Sequence, residues 1–429
     1  MLQNYKYLQF APFQSMTEWG VTHLLNRGLG FTNQYPFVRI GDVIQRSAIL
    51  VTIKDEVRYK QITLKTNGGG AVLRGVKLGK DIKTKKQYLA NEGQFIMSKI
   101  DARNGAFGVV TKDLDGAVVT ADFPLFDVNT EKISPEYLSL LSATKPFVEY
   151  AQSCSSGTTN RQRIDIDSFL AQQIPLPSLE EQNDIISKYN KAHKQADECV
   201  ERAKDVGKQI EAYLENKLGL KSPVSQHLVG KLYFVQRSKI LRWDVWNVAI
   251  FNYAGLYPLR PLQDIIEIQS GKFLPTKNQS GGEYNVYGGN GLIGTHDQYC
   301  YSGKRIVIGR VGEYCGNVHL IDGKYWITDN ALKVDKISDE VTWEYLKVAL
   351  SALNINQYKS KSAQPSISQT KIMQLQIPVP NAKIQNEIVT FIDAMHDEQT
   401  IFQKQAFELR VQANKQFEQK IYNKVICFA

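Results

Sequence analysis

Two stretches of the chain carry the spacing of a one-sided helix, and the rest does not. From Leu179 to Leu218 there is no proline, and the one glycine is Gly207. Along it Ile186, Tyr189, His193, Ala196, Val200, Ala203, Gly207, Ile210 and Leu214 recur at alternating steps of three and four, flanked at every seventh residue by Ile185, Ala192, Cys199, Val206 and Tyr213. A row with this period lies along one face of an α-helix and suits a second helix. Ser178 offers an N-cap, Glu180 and Glu181 suit the positive end of the helix dipole, and Gly219 stands where a helix C-terminus often takes glycine. Near the C-terminus Ile388, Ile392, Met395, Phe402, Ala406, Leu409 and Ala413 repeat the row. Each helix has roughly 40 residues, about 60 Å at a rise of ~1.5 Å per residue. The two stripes are expected to close on each other as an antiparallel pair, because a helix this long outreaches one domain; the other arrangement packs each on its own domain. Small and polar seam residues (Ala196, Ala203, Gly207, Gln399) imply close approach or further partners.

Elsewhere short β-like runs dominate: Phe95–Met97, Gly108–Val110, Ala117–Thr120, Arg305–Ile308 and Tyr325–Ile327. Glycine and Asp/Asn turns separate them, and helical patterns follow at Pro135–Tyr150 and Val341–Leu353.

The chain also repeats itself. Tyr35-Pro36 through Asp42-Val43-Ile44 aligns with Tyr257-Pro258 through Asp264-Ile265-Ile266. Ser98-Lys99-Ile100 and Gly105 align with Gly309-Arg310-Val311 and Gly316, Glu136-Tyr137-Leu138 with Glu344-Tyr345-Leu346, and Ile174-Pro175-Leu176-Pro177 and Gln182 with Ile377-Pro378-Val379-Pro380 and Gln385. The offsets shrink in order from 222 through 211 and 208 to 203, so one unit of roughly 210 residues occurs twice with loops of unequal length. The expected fold class is α+β: two mixed α/β domains, residues 1–178 and 219–380, joined by two long antiparallel helices, 179–218 and 381–425, in a pseudo-two-fold repeat.

Composition narrows the partner. The 429 residues are 43% hydrophobic and 22% charged, which suits packed cores and argues against wholesale disorder. A net charge of +9 permits a polyanionic partner. Five scattered cysteines imply no disulfide framework. Met1–Phe13 has no signal-peptide pattern, and no window of about 18 residues is apolar enough to span a bilayer. A cytoplasmic protein without membrane association is expected.

The chain lacks a G-x-x-x-x-G-K-[ST] phosphate loop, a Pro-Pro-aromatic tetrapeptide of the kind that holds a flipped base in amino-methyltransferases, and a convincing nuclease signature. Gly289-Asn290-Gly291-Leu292-Ile293-Gly294 matches G-x-G-x-x-G, but the residues after it do not open an amphipathic helix, so a glycine-rich β-turn is the expectation. His296, Cys300, Cys315 and His319 have zinc-like spacing with no counterpart in the first copy. Cys315 with His319 as nucleophile and base lacks a third, orienting group. Asp165 and Asp167 precede a helix-like segment and read as caps. A duplicated basic chain with a stiff spacer suits two binding heads on DNA, whose grooves recur every ~34–36 Å.

The motifs resemble those of the specificity subunits (HsdS) of type I restriction-modification systems. Ile174-Pro175-Leu176-Pro177-Ser178-Leu179-Glu180-Glu181-Gln182 is similar to the family's IPLPPLEEQ run into its long helix. Ile377 to Gln385 is a weaker copy in which Asn381 and Lys383 depart from the pattern. Val72-Leu73-Arg74-Gly75-Val76 with Lys80-Asp81-Ile82, Tyr287 to Gly294 and Ile308 to Gly316 resemble recognition-domain motifs. The resemblance spans nearly the whole chain. It implies two target-recognition domains, each reading half of a bipartite double-stranded DNA sequence, and helices that fix the spacing and dock two modification subunits. Those subunits would carry S-adenosylmethionine and adenine methylation, and a motor-nuclease restriction subunit would join for cleavage. No cofactor and no catalytic residue would belong to this chain. The competing classes are a fused methyltransferase or nuclease with degenerate motifs, and a scaffold whose heads no longer bind DNA.

Base reading needs Arg, Lys, Asn or Gln, and phosphate contacts need cations, hydroxyls and backbone N–H groups. Candidates lie on matching turns of the two copies. Lys99 and Arg103 are answered by Arg310. Thr158, Thr159, Arg161 and Arg163, on the loop before Ile164, are answered by Lys359, Lys361, Gln364 and Ser366 before Ile367. These two loops resemble the family's SGSTxxxI segment. Arg74 and Lys77, in a basic stretch, and Tyr287 and Asn290 complete the set.

Overall fold

A computed structural model describes residues 30–156, 163–221, 252–253, 255–279, 281–360 and 364–422. The chain divides into two compact units, Met1–Glu198 with Gln405–Ala429 and Cys199–Lys404. Each takes one half of both helical stripes.

In the first unit the strands are β1 (Phe37–Arg39), β2 (Ile44–Ser47), β3 (Leu50–Thr52), β4 (Arg58–Leu64), β5 (Ala71–Leu78), β6 (Lys86–Ala90), β7 (Phe95–Met97), β8 (Phe107–Val109), β9 (Ala117–Val119), β10 (Leu125–Val128), β11 (Ser155–Ser156), β12 (Arg163–Ile164) and β13 (Gln173–Pro175). β2, β10, β7 and β8 form an antiparallel sheet in that order. A second sheet, β3-β6-β9-β4-β5, is antiparallel except where β9 meets β4. β1 pairs with β13. The helical pattern over Pro135–Tyr150 divides into α1 (Pro135–Ser142) and α2 (Lys145–Ser153). Pro146 has no N–H to continue α1 but fits the first turn of a new helix, so the chain breaks at Ala143-Thr144. α3 (Ile166–Ala171) follows, with Asp165 as its N-cap: the carboxylate accepts the Ser168 N–H at 2.9 Å.

α4 (Leu179–Leu218) is one continuous helix of 40 residues. Ser178 and Glu181 form a reciprocal capping box, with the Ser178 N–H donating to Glu181 at 3.2 Å and Ser178 Oγ accepting the Glu181 N–H at 3.3 Å. Gly219 takes φ +69° just past its end.

The second unit contains β14 (Leu220–Lys221), β15 (Asn252–Tyr253), β16 (Leu259–Pro261), β17 (Ile266–Ser270), β18 (Tyr284–Gly288), β19 (Gly291–His296), β20 (Tyr301–Ser302), β21 (Arg305–Gly309), β22 (Val318–Ile321), β23 (Lys324–Ile327), β24 (Ala331–Ile337) and β25 (Gln376–Pro378). Its own helices are α5 (Leu262–Ile265), α6 (Trp343–Ala352) and α7 (Gln369–Met373); α8 (Ala382–Ile421), again 40 residues long, begins in this unit and ends in the first. The antiparallel sheet β17-β24-β21-β22 repeats the first unit's β2-β10-β7-β8, and β16–β25 repeats β1–β13.

The stripes meet as expected. In the first unit Tyr189 Oη donates to Asn414 at 3.1 Å and Arg410 pairs with Asp197 at 2.6 Å. In the second, Tyr213 stacks on Phe391 at 3.8 Å and Lys217 faces Glu387 at 3.5 Å. Partners descend along α8 as they ascend along α4, so the pair is antiparallel in both units. The small seam residues have a use: Gln399 Nε2 donates to the Ala203 carbonyl at 3.0 Å, beside Gly207. The buried face also anchors the helices to the domains. Ile185, Ile186, Phe417 and Ile421 join the core of Phe95, Phe107, Phe126, Phe147 and Phe169, while Ile210, Leu214, Ile388 and Ile392 join that of Ile306, Ile308, Tyr345 and Leu346.

Candidate nucleic-acid interface

The repeat match between Lys99 and Arg310 is a match of backbone geometry. At the end of β7, Ser98 N–H donates to Ala106 O at 3.0 Å, Lys99 N–H to Asp122 O at 2.8 Å, and Lys99 O accepts Ile164 N–H at 2.9 Å. At the end of β21, Gly309 N–H donates to Asn317 O at 2.9 Å, Arg310 N–H to Asn330 O at 3.0 Å, and Arg310 O accepts Ile367 N–H at 2.9 Å. Each copy therefore holds one cationic residue at a node where three segments converge. One of those segments carries Ile164 or Ile367, the residue that follows the donor-rich run in sequence. Both turns close on a left-handed glycine, Gly105 at φ +74° and Gly316 at φ +94°. A side chain at Gly316 would meet the Asn356 backbone nitrogen at 2.4 Å, so the bare backbone is required there.

The second copy gathers most of its candidates. Arg310 is exposed, and its guanidinium donates to Ser270 at 3.2 Å. Asn290 lies in the exposed turn between β18 and β19 and accepts from Asn317 at 3.2 Å. That turn packs closely on the node, since a Cβ on Gly309 would lie 2.1 Å from the Gly289 carbonyl. Ser366 bridges Val311 in a β-pairing, and Pro365 O accepts the Gly312 N–H at 2.9 Å. Exposed Gln364 is on the same loop. Lys359 faces Glu313 at 3.3 Å, which offsets its charge. Tyr287 is half-buried, its ring edge-on to Tyr325 at 5.9 Å.

In the first copy Lys99 and Arg103 share the node's turn. Arg163 pairs with Asp122 at 3.0 Å, with both side chains well exposed. Thr158, Thr159, Arg161 and Lys361 lie outside the described residues. Arg74 and Lys77 stand apart. The tip of the β4–β5 hairpin touches the node, with Asn67 N–H donating to Asn104 O at 2.7 Å and Gly68 N–H to Gly105 O at 3.1 Å. At ~3.3 Å per residue, however, β5 carries Arg74 about 13 Å and Lys77 about 23 Å beyond Gly70. Gln61 pairs with Gly75 and Ile62 with Leu73, so Arg74 is the extra residue of a β-bulge on an edge strand.

The decoys resolve into structure. Gly291–His296 is strand β19, hairpin-paired to β18, so no helix N-terminus awaits a pyrophosphate. Burial pushes the Cys315 thiol up, and burial followed by Lys347 pushes His319 down; both are held neutral, the opposite of a thiolate–imidazolium pair. Among the described residues no group of three or more His, Cys, Asp or Glu is placed to hold a metal ion, and no helix is long and apolar enough to cross a membrane. Sequence reasoning missed Asn317, Ser270 and Asn356. Asn356 ties the node's loop by donating to Cys315 O at 2.6 Å. Of these Asn317 had a signal, because it follows the repeated glycine.

Two mixed α/β units, each with its own antiparallel stretch of α4 against α8 and a cationic turn at the same node, define a duplicated protein. The family model described as type I restriction modification DNA specificity domain matches residues 32–198 and 257–408, and the chain belongs to that family. The specificity subunit of the Escherichia coli type I restriction enzyme EcoprrI is 31% identical over 140 residues, 31% of this chain and 34% of that protein. A putative type I specificity subunit of Haemophilus influenzae, S.HindORF215P, is 23% identical over 141 residues, 32% of this chain and 36% of that one. The matched segment thus spans about a third of the length of either relative. In fold, the chain is similar to one in a structure of type I R-M complex assembly and conformational transition (TM-score 0.55, 17% identity, 91% of this chain and 97% of that one). It is also similar to the S subunit of the M. genitalium type I system (TM-score 0.51, 14% identity, 92% and 98%).

Proposed function

We propose that the chain is the sequence-specific DNA-binding subunit of a type I restriction-modification complex, working in the cytoplasm without catalysis of its own. Residues 1–178 and 219–380 are its two target-recognition domains, and each reads one half of a bipartite sequence in double-stranded DNA. The helices over 179–218 and 381–425 set the spacing and dock two modification subunits. Methyl transfer from S-adenosylmethionine belongs to those subunits, and ATP-driven cleavage to a restriction subunit. The observation that carries the reading is the node. Lys99 and Arg310 have equivalent backbone partners in the two domains, and the carbonyl of each accepts the N–H of the isoleucine that follows a donor-rich run of sequence. Arg103, Thr158, Thr159, Arg161 and Arg163 serve one half-site. Tyr287, Asn290, Lys359, Lys361, Gln364 and Ser366 serve the other, with Arg74 and Lys77 as flanking phosphate contacts.

The test is the methylome of a host expressing this chain with its modification subunits. The expected result is adenine methylation at a split motif of two unlike halves. Methylation without a split motif, or methyl transfer or DNA nicking by the purified chain alone, overturns the proposal.

A further inference from the structure

We infer that Gln182 and Gln385 are positioning residues for recognition: each locks its domain to its long helix at one angle, and thereby fixes the distance between half-sites that the protein accepts. The inference rests on the DNA-recognition reading above.

Both glutamines are buried, at 0% and 1% exposure. The two N–H groups of Gln182 Nε2 donate to Lys132 O at 3.0 Å and Pro177 O at 2.9 Å, and its Oε1 accepts the Ser134 N–H at 2.8 Å. Gln385 donates to Glu340 O at 2.7 Å and Pro380 O at 2.9 Å, and accepts the Thr342 N–H at 3.0 Å. In each case one amide joins three pieces: the loop that starts the domain's own helix, the proline-rich exit from the domain, and the first turn of α4 or α8. Ser134 and Thr342 are themselves the N-cap residues of α1 and α6.

A second bond completes each clamp. Tyr137 Oη donates to Pro175 O at 3.2 Å, and Tyr345 Oη donates to Pro378 O at 2.6 Å, with both rings fully buried. The exit strand ends in alternating prolines, which lack the N–H needed to extend a sheet, yet their carbonyls still need donors. The tyrosine and glutamine supply them.

An apolar side chain would fill the same space without direction. A buried amide costs desolvation, and holds its place only while its bonds are made. Rotating the domain on the helix strains all three glutamine bonds together, so the clamp has one seat. The same device appears twice, although its neighbours differ: Glu180-Glu181 precede Gln182, while Lys383-Ile384 precede Gln385.

The chain assembled with its modification subunits is titrated with duplexes carrying the methylated split motif at its native spacing, and one base pair longer or shorter. One base pair moves a half-site by about 3.4 Å. The readout is the ratio of affinities for native and altered spacing. Gln182→Leu and Gln385→Leu are expected to lower that ratio about tenfold, because a looser seat tolerates the shift. Tyr137→Phe and Tyr345→Phe remove one bond each and lower it about threefold. A variant that merely folds less well weakens binding to every duplex alike and leaves the ratio unchanged; an unchanged ratio overturns the clamp. Should the leucine variants fail to assemble, the phenylalanine pair decides by the same ratio. A wild-type complex indifferent to spacing overturns the recognition reading itself.

Discussion

In the first domain β9 and β4 run parallel within a five-stranded sheet, one edge of which is the eight-residue strand Ala71–Leu78. In the second domain the sheet β19-β18-β23-β20 also holds one parallel pair but has four strands, and one of its edges is the hairpin strand Gly291–His296. The four-stranded antiparallel sheet repeats in strand order, with a register shift at Glu267/Ile268 in the second copy, while the proline exit and the glutamine clamp repeat bond for bond. The domains thus keep the parts that hold a head on its helix and vary the parts that face outward beside the cationic node. A duplicated frame bearing unlike surfaces suits two unlike half-sites: the frame carries the geometry and the periphery carries the sequence reading.

The frame is not uniform inside, and that gives the largest predicted effect. The central strand β10 carries buried Leu125 and, two residues on, Asp127, which accepts from Gln94 at 2.6 Å. At the matching places β24 has Lys333 and Asp335. Lys333 is 5% exposed and in contact with Asp335, which also accepts from Arg305 at 3.3 Å. Removing Asp335 leaves a buried ammonium without its counter-ion. Asp335→Ala should destabilise the second domain by about 3 kcal/mol, whereas Asp127→Ala, which strips only one hydrogen bond near the surface, should cost about 1 kcal/mol. Urea unfolding of each variant checks this. Equal losses would mean that the ionic and neutral versions of the sheet are energetically alike.

A smaller effect is expected at the node, where the two domains should behave alike. Lys99→Ala and Arg310→Ala should each weaken DNA binding about tenfold and reduce the salt slope by about one phosphate contact. A salt titration of affinity measures both. If only one substitution flattens the slope, the shared backbone node is not a shared contact.

How much of this was written in the sequence depends on the range of the interaction. The helices were legible because a heptad row is a local signal, and Ser178, Glu181 and Gly219 mark their ends within a few residues. The repeat exposed the node because both copies keep a cation before a left-handed glycine. The single helix expected over Pro135–Tyr150 failed at Pro146, whose effect competes with the apolar spacing around it. Arg74 and Lys77 were chosen for the basic stretch they stand in, a local signal that does not record how an extended strand with a bulge carries them away from the node. The offset of Arg163 by Asp122 and of Lys359 by Glu313 depends on pairings 41 and 46 residues apart, which no local pattern records. The repeat picked out Gln182 and Gln385 but not what they do. Gln182 sits in a polar run that reads as a solvated helix start, and only the fold shows the amide to be buried.

The finest contrast lies at one helix cap. α3 begins on Asp165 and its counterpart α7 on Ser368, and each side chain accepts an N–H three residues on. Hydrogen bonds from the Ser168 side chain and backbone hold the Asp165 carboxyl below its ordinary value, against a small opposing contribution from burial. A lowered native pKa means that the cap contributes fully above the ordinary carboxylate range and is lost as pH falls through the native value. Asp165→Ala should cost about 1 kcal/mol at neutral pH, with the difference from wild type shrinking below about pH 4. Ser368→Ala should cost a similar amount with no such dependence, because a hydroxyl does not titrate in that range. Denaturation of the two variants across pH 3 to 7 compares the domains directly. A parallel pH dependence in both would show that something other than the cap carboxylate carries the acid sensitivity of the first domain.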